Sequence, residues 1–246
     1  ANYRVRTSKS GMFKFYTNYG YGHTGMRNPD LDSAGLKSLF DLKNQNWYTN
    51  LSWRESLGKG WKVDAGLAYN YSRDRMQTAL QDADDSTLYL PEEKFRDKNR
   101  LIVTAGDFAQ ARVVFTKGSF GNQAIRFGGE YFYSNDRYER ADSALRLRDN
   151  LAAAFAETDI RIARGVGARL GLRAEHSSLL NQVVLAPRVG LGYRLGQAGQ
   201  INLAYGVFYQ KPENFFLFRN DNLGFTRATH YIVNYVKNEG NRFLRV

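Results

Sequence analysis

The sequence predicts an all-β protein, a transmembrane antiparallel up-and-down β-barrel of which about 10–11 strands are visible. Three observations predict this class. Apolar and polar residues alternate with a period of two along many segments, short and long connections alternate along the chain, and aromatic residues make up 14% of it. Strict alternation gives a strand two chemically different faces. Short turns at one end and longer loops at the other are typical of outer-membrane barrels.

The predicted strands follow from the alternation. In 61–71 the odd positions are Trp, Val, Ala, Leu, Tyr and Tyr, whereas the even positions are polar or small. A change of phase near 106–108 predicts a β-bulge there, and Pro187 predicts a local break in strand pairing. The other predicted strands are 11–22, 45–55, 100–117, 122–134, 149–163, 166–175, 185–195, 201–209 and 227–237, with a further strand starting at 243.

The lengths of the predicted strands and connections favour a membrane barrel over a soluble sandwich or a lipocalin-like barrel. Alternation of apolar and polar residues alone also allows these soluble folds. Predicted strands of about 10–14 residues exceed the 5–6 of globular sheets and suit a tilted membrane crossing. Tyr and Trp near the strand ends suit interfacial girdles. The predicted tight turns are 57–60, 117–121, 164–167, 196–199 and 237–241, and the predicted long loops are 23–44, 74–99, 135–148, 176–183 and 210–226.

Composition excludes several classes of protein. The net charge is +11, but the cations recur singly at alternate positions, so we expect no nucleic-acid partner. No apolar run reaches the roughly 20 residues of a membrane-spanning helix. The chain has no cysteine, and its three histidines have no metal-ligand spacing, so we expect no cofactor and no metal site. His176 and Ser177 point to opposite faces of a strand, so we expect no enzyme.

Residues 1–246 are predicted to form part of one barrel domain. The last predicted strand stops four residues after it begins, and an unpaired strand edge is not tolerated in hydrocarbon. We therefore expect a piece of a larger barrel, without a plug domain and without the C-terminal strands.

From residue 150 onward, several segments together resemble TonB-dependent outer-membrane receptors, particularly those of Bacteroidota. They are LAAAFAETDIRI (151–162), GARLGLRAEHSSLL (167–180), LAPRVGLGYRL (185–195), INLAYGVFYQKPE (201–213) and TRATHYIVNYVKNEGNRFLRV (226–246), about 40% of the chain. The resemblance implies a 22-strand barrel occluded by a plug, placed in a bacterial outer membrane. It also implies contact with lipid, energy coupling through a TonB-type protein, and import of a siderophore, vitamin, glycan or peptide. The alternatives are a non-transporting barrel that docks a lipoprotein or another envelope partner, and a passive porin-like channel.

Alternation also predicts which charged residues face the lumen. They would form either a path that attracts an anionic ligand or a wall network of ion pairs. Counting from the turn at 164–167 predicts that Glu157 and Arg173 are cross-strand partners. Candidate contacts in extracellular loops are Arg137, Tyr138, Phe215, Phe216 and Arg219. The predicted lumen-facing residues are Lys62, Asp64, Arg112, Arg126, Glu130, Glu157, Asp159, Arg161, Arg169, Arg173, Glu175, Arg188, Arg194 and His230.

Overall fold

The computed structural model describes residues 1–95, 97–118, 123–140, 143–220, 222–239 and 242–246, and it shows one twelve-stranded antiparallel sheet. Strands that follow one another in the chain pair with each other, and β1 and β12 are the two edges of the described sheet. The strands are β1 (Asn2–Val5), β2 (Met12–Pro29), β3 (Lys37–Gly58), β4 (Trp61–Gln81), β5 (Arg100–Gly118), β6 (Ala124–Arg140), β7 (Ser143–Ala163), β8 (Val166–Ser177), β9 (Gln182–Leu195), β10 (Gly199–Gln210), β11 (Thr226–Glu239) and β12 (Arg242–Arg245).

The sheet is a meander whose strands are longer in its first half than in its second. β2–β7 have 17 to 22 residues each, whereas β8–β11 have 12 to 14. Most of the predicted loops 23–44 and 135–148, and the first eight residues of the predicted loop 74–99, are therefore strand. The sequence prediction was wrong there because strands that rise above an apolar band become polar on both faces, so alternation no longer marks them. The predicted turns 117–121 and 237–241 fall partly outside the described residues.

The predicted bulge near residues 106–108 is absent from the described pairing. β5 keeps one continuous register with β4 from Arg100 to Lys117. Register shifts occur instead at Ser56/Gly58 and at Arg161/Ala163, beside the tight turns. Pro187 stays in register with β8, but the pairing of β9 with β10 ends at Arg188. That ladder stops beside the proline because proline has no N–H to donate.

The sheet has two faces that differ in chemistry. We define the inner face as the one that carries Arg112, Arg126 and Glu157, and the outer face as the opposite one. Large apolar side chains stand exposed on the outer face, among them Leu67, Leu172 and Leu191. A soluble sandwich would bury one of these faces in a core. An apolar face left uncovered over many strands suits contact with hydrocarbon.

The loops β2–β3 and β4–β5 are joined into one cap at the loop end of the sheet. Lys98 Nζ lies 2.7 Å from the buried carboxylate of Asp30, and Lys37 Nζ lies 2.8 Å from Asp85. The Lys98 ammonium and the Ser38 hydroxyl hold the pKa of Asp30 well below its ordinary range. Beneath them Leu80 is fully buried. These two loops therefore form an ordered structure above the sheet.

Candidate functional site

The strand register places the predicted lumen-facing residues on the inner face. Arg126 stands opposite Glu157, Asp159 opposite Arg169, and Gly171 opposite Arg188. Side chains directly opposite each other in paired strands share a face. The same register puts His230 on this face, opposite Gly206 of β10. The alternation in the sequence therefore identified the faces correctly, although it did not identify every contact.

A first group of charges joins β5, β6 and β8 through Glu130, and we call it the Glu130 cluster. Arg112 Nε lies 3.0 Å from Glu130 Oε1, and Arg173 Nη1 lies 2.6 Å from Glu130 Oε2. Arg173 also contacts the carboxylate of Glu175. The Glu130 side chain is only 10% exposed. Two arginines and two glutamates cancel in charge, so this cluster braces the wall and offers no free cation.

A second group joins β6, β7 and β8, and we call it the Asp159 cluster. Arg126 Nη1 lies 3.0 Å from both Glu157 Oε1 and Asp159 Oδ2. Arg169 Nε lies 2.6 Å from Asp159 Oδ1 and 3.5 Å from Glu157 Oε1. Shared contacts of this kind suit the planar, multi-donor guanidinium group. These four side chains also form a neutral unit.

The remaining arginines on the inner face differ from those in the clusters. Arg161, Arg188 and Arg194 are exposed and have no ion pair among the described residues. Arg188 lies over the ring of Phe208 at 4.6 Å, and Phe208 contacts the ring of His230 at 4.9 Å. We call Arg161, Arg188 and Arg194 the open arginines.

The open arginines line a concavity of about 880 Å³ on β7–β11. Gln200 and Asn202 add amide groups to its lining, and Gly190 also lines it. Glu157 and Asp159 also line the concavity, but they pair with Arg126 and Arg169, so the rest of the lining has an excess of positive charge. Such an excess beside low-dielectric walls strengthens the local potential. The arrangement can therefore hold an anionic group through charge-assisted hydrogen bonds.

The predicted pairing of Glu157 with Arg173 is wrong. Glu157 stands opposite Gly171, and Arg173 stands opposite Phe155. The pairing of Ala163 with Val166 at the turn accounts for one residue of the difference, and the register shift at Arg161/Ala163 accounts for the other. The resulting error of two residues along β8 changes the partner, but it leaves each side chain on its predicted face.

The predicted loop contacts divide between a strand and a loop. Arg137 and Tyr138 lie on β6 and not in a loop, which corrects the prediction for both. Arg137 points to the outer face, where it lies 3.1 Å from Asp107. Phe215 and Phe216 lie as predicted in the β10–β11 loop, on the short helix α1 (Asn214–Leu217). The guanidinium of Arg219 lies 3.9 Å from the Phe215 ring centre.

Sequence reasoning missed three inner-face residues of the concavity. Phe208, Gln200 and Asn202 occupy the same alternate positions as the predicted set, but only charged residues and a histidine were selected. A second signal in the sequence was also available. No Asp or Glu occurs between residues 176 and 212, so the arginines of β9 have no acidic neighbour on that strand or the next.

The described residues contain no group of three His, Cys, Asp or Glu side chains arranged to hold a metal ion. A helix long and apolar enough to cross a membrane is also not found among them.

Comparison with known proteins identifies structural neighbours only. No family model matches the sequence, and no curated protein matches it. The outer membrane transporter YddB from Escherichia coli superposes with a TM-score of 0.73 at 13% identity, over 99% of this chain and 38% of that chain. A mutant of the ferric enterobactin receptor PfeA from Pseudomonas aeruginosa gives 0.68 at 10% identity, over 97% and 48%. The alcaligin receptor FauA from Bordetella pertussis gives 0.63 at 13% identity, over 96% and 39%.

These neighbours confirm the fold class, a wall of antiparallel strands as in TonB-dependent β-barrels. The chain spans less than half the length of each of them. YddB is named as an outer membrane transporter and FauA as an outer membrane receptor, the location that the sequence predicts for this chain.

Proposed function

We propose that this chain is part of the barrel of a TonB-dependent outer-membrane receptor, of the Bacteroidota type that its second half resembles. The barrel imports an anionic ligand such as a ferric siderophore, and the open arginines line the path of that ligand. The observation that carries the proposal is the excess of cations around the concavity on β7–β11. Five arginines and two carboxylates line it, and among the described residues those carboxylates pair with Arg126 and Arg169 and not with Arg188 or Arg194.

The division of the inner face supports this assignment. In the Glu130 and Asp159 clusters every arginine contacts a carboxylate, so those arginines are explained by the stability of the wall. The open arginines contribute no such pairs. Arg188 is held over Phe208, which positions its guanidinium while its donors stay available. Cations that are ordered but unpaired suit binding of an external anion.

The structural neighbours support the class of ligand. One is named as a ferric enterobactin receptor and another as an alcaligin receptor. Energy coupling through a TonB-type protein belongs to the proposal, because the sequence resemblance implies it. The residues of α1 and Arg219 stand at the loop end of β10, where they are candidates for the first contact with the ligand.

The test is uptake by the full-length protein in Escherichia coli cells that lack their own ferric siderophore receptors. The probes are ⁵⁵Fe-loaded enterobactin and ⁵⁵Fe-loaded alcaligin, with and without a functional TonB. We expect TonB-dependent uptake of at least one probe. Reversal of two charges in R188E/R194E should lower it by about tenfold or more, since each charge-assisted hydrogen bond contributes more than 1 kcal/mol.

The matched control is R6E/K9E, which makes the same change of charge in the exposed segment before β2. It should leave uptake unchanged. Equal uptake by R188E/R194E and the control would exclude the proposed role of the open arginines. Uptake without TonB, together with a large steady conductance in planar bilayers, would instead favour a passive channel.

A further inference from the structure

The concavity on β7–β11 has two ends of different chemistry, and the proposed function uses only the positive charge that they share. On the inner face of β9, Arg188 and Arg194 stand at the two ends, with Gly190 and Gly192 between them. A strand rises about 3.3 Å per residue, so the Cα atoms of the two arginines lie about 20 Å apart. The concavity is therefore long enough for a ligand that has two distinct parts.

Small residues form the floor between the two ends. The strand register places Gly190 beside Ala204 of β10, and Gly192 beside Gly167 of β8. All four residues line the concavity, and none of them has a side-chain atom beyond Cβ. The floor is therefore lower between the two arginines than at either end, where long side chains stand.

The tight-turn end of the concavity concentrates positive charge. Arg161, Arg164 and Arg194 line it there, and all three are exposed. The backbone N–H of Arg194 donates to the carbonyl oxygen of Gly165 at 2.8 Å, which places the turn beside the end of β9. None of the three arginines has an ion pair among the described residues. Three free guanidinium groups suit a phosphate ester, which carries about two negative charges and three acceptor oxygens, better than a single carboxylate.

The loop end of the concavity carries a tilted stack of side chains. The guanidinium carbon of Arg188 lies 4.6 Å from the centre of the Phe208 ring, and the centre of the His230 ring lies 4.9 Å from it. The Phe208 ring leans over Gly206, where a Cβ would come within 2.8 Å of the ring. Because Arg188 is exposed, the face of its guanidinium that points away from Phe208 is available. A planar ring can stack on that face.

Two amide side chains line the concavity next to its tight-turn end. Gln200 stands opposite Arg194, and Asn202 stands opposite Gly192. The Gln200 amide nitrogen donates to the Asn202 amide oxygen. That bond leaves the nitrogen of Asn202 as a donor and the oxygen of Gln200 as an acceptor. Such a pair suits a hydroxyl group, which both donates and accepts.

We propose that this concavity binds mononucleotide-type compounds, in which a hydroxylated linker joins a planar heteroaromatic ring to a phosphate. The phosphate binds Arg161, Arg164 and Arg194, the linker binds the two amides, and the ring stacks on Arg188. The proposal rests on the proposed function, because it names a ligand class for the same concavity. The volume of about 880 Å³ lies within the usual range for small-molecule sites.

The test measures binding of flavin mononucleotide (FMN) to the purified full-length protein in detergent, through the quenching of flavin fluorescence. Riboflavin has the same ring and linker without the phosphate. Inorganic pyrophosphate supplies phosphate without a ring, and its binding is measured by displacement of FMN. The variant R161Q/R194Q removes two cations from the tight-turn end, and F208L removes the aromatic ring beneath Arg188.

The matched control is R6Q/K9Q, which removes two exposed cations from the segment before β2, outside the concavity. Heat-modifiable migration on gels verifies that all variants fold. The control has the same net charge as R161Q/R194Q, so a difference between the two variants reports on position and not on total charge.

We expect saturable binding of FMN, with riboflavin and pyrophosphate each weaker by about tenfold or more. R161Q/R194Q should lose about tenfold or more in affinity for FMN and should bind riboflavin as the unchanged protein does. F208L should weaken FMN and riboflavin by a similar factor, about tenfold, because both stack through the ring. R6Q/K9Q should bind all three probes as the unchanged protein does.

Absence of saturable FMN binding would overturn the proposal. Equal affinities for FMN and riboflavin, or for FMN and pyrophosphate, would also overturn it, since one part of the ligand would then be recognised alone. Equal losses in R161Q/R194Q and R6Q/K9Q would reduce the effect to non-specific attraction of anions.

Uptake of ferric siderophores is a separate readout that distinguishes this proposal from the proposed function. If FMN does not bind while R188E/R194E still lowers TonB-dependent uptake, only the ligand class named here is wrong. If FMN binds as expected and no probe is taken up, the concavity is a binding site and the transport function is rejected.

Discussion

The inner face over β5–β8 and the inner face over β8–β11 use the same residue type for different purposes. In the first region Arg112, Arg126 and Arg173 each contact a carboxylate. In the second, Arg188 and Arg194 contact none among the described residues. The arginines occupy equivalent alternate positions in both regions. The supply of carboxylates on the neighbouring strands therefore decides whether an arginine braces the wall or remains available to a ligand.

Two glycines, one in each region, differ in how tightly neighbouring atoms pack around them. A Cβ at Gly128, between the two clusters, would lie 2.2 Å from the carbonyl oxygen of Val113 and 3.1 Å from the Phe155 ring. A Cβ at Gly190, among the open arginines, would meet Arg169 Cβ at an ordinary 3.8 Å. The backbone is therefore closely packed at Gly128, whereas Gly190 has space for a methyl group.

The largest expected effect tests this difference in packing. Gly128→Ala forces a methyl group against backbone, and we expect a loss of about 3 kcal/mol in the free energy of unfolding. Gly190→Ala should be close to neutral, since it adds no clash and restricts the unfolded chain. Urea titration in lipid vesicles, followed by tryptophan fluorescence, measures both. Similar stabilities for the two variants would mean that the regions are packed alike.

A second prediction concerns the charges themselves. Glu130→Ala leaves Arg112 without a carboxylate and the half-buried Arg173 with only Glu175, so we expect a loss of about 2 kcal/mol. Arg188→Ala removes an exposed side chain without an ion pair and should change stability by less than about 0.5 kcal/mol. The same urea titration compares them. A large loss from Arg188→Ala would show that the open arginines also brace the wall.

The sequence allowed the faces to be predicted well because alternation is a local property. Lys62, Arg173 and Arg194 lie far apart in the chain, yet counting by twos placed each on the inner face. Contacts were harder to predict, because a partner depends on register, and register depends on shifts beside the turns. The pairing at the turn and the shift at Arg161/Ala163 each move the partner of Glu157 by one residue, which together changes it from Arg173 to Gly171.

The strand segments at the loop end could not be found from alternation for a different reason. Arg75 and Arg137 fell in segments predicted as loops, because above the aromatic border both faces of a strand are polar. Strand length there is set by pairing with neighbouring strands and not by an apolar pattern. The structure was needed to show that these segments continue as strands.

The third prediction measures one contact within the paired region. A double-mutant cycle on Asp159→Ala and Arg169→Ala should give a coupling energy of about 1 kcal/mol or less, because Arg169 is more than half exposed. The coupling should fall as salt is added. A coupling of zero would mean that the short distance between Asp159 and Arg169 contributes nothing to stability.

The smallest expected effect tests the corrected register between β7 and β8. A double-mutant cycle on Glu157→Ala and Arg173→Ala should give a coupling within about 0.3 kcal/mol of zero, since the two residues have separate partners. If β8 were displaced by two residues, Glu157 and Arg173 would stand opposite each other and would couple as strongly as Asp159 and Arg169 do. The ratio of the two coupling energies therefore determines the register. Arg173 lies on the inner face in both the observed and the displaced register. Measurements of side-chain exposure therefore could not distinguish the two registers.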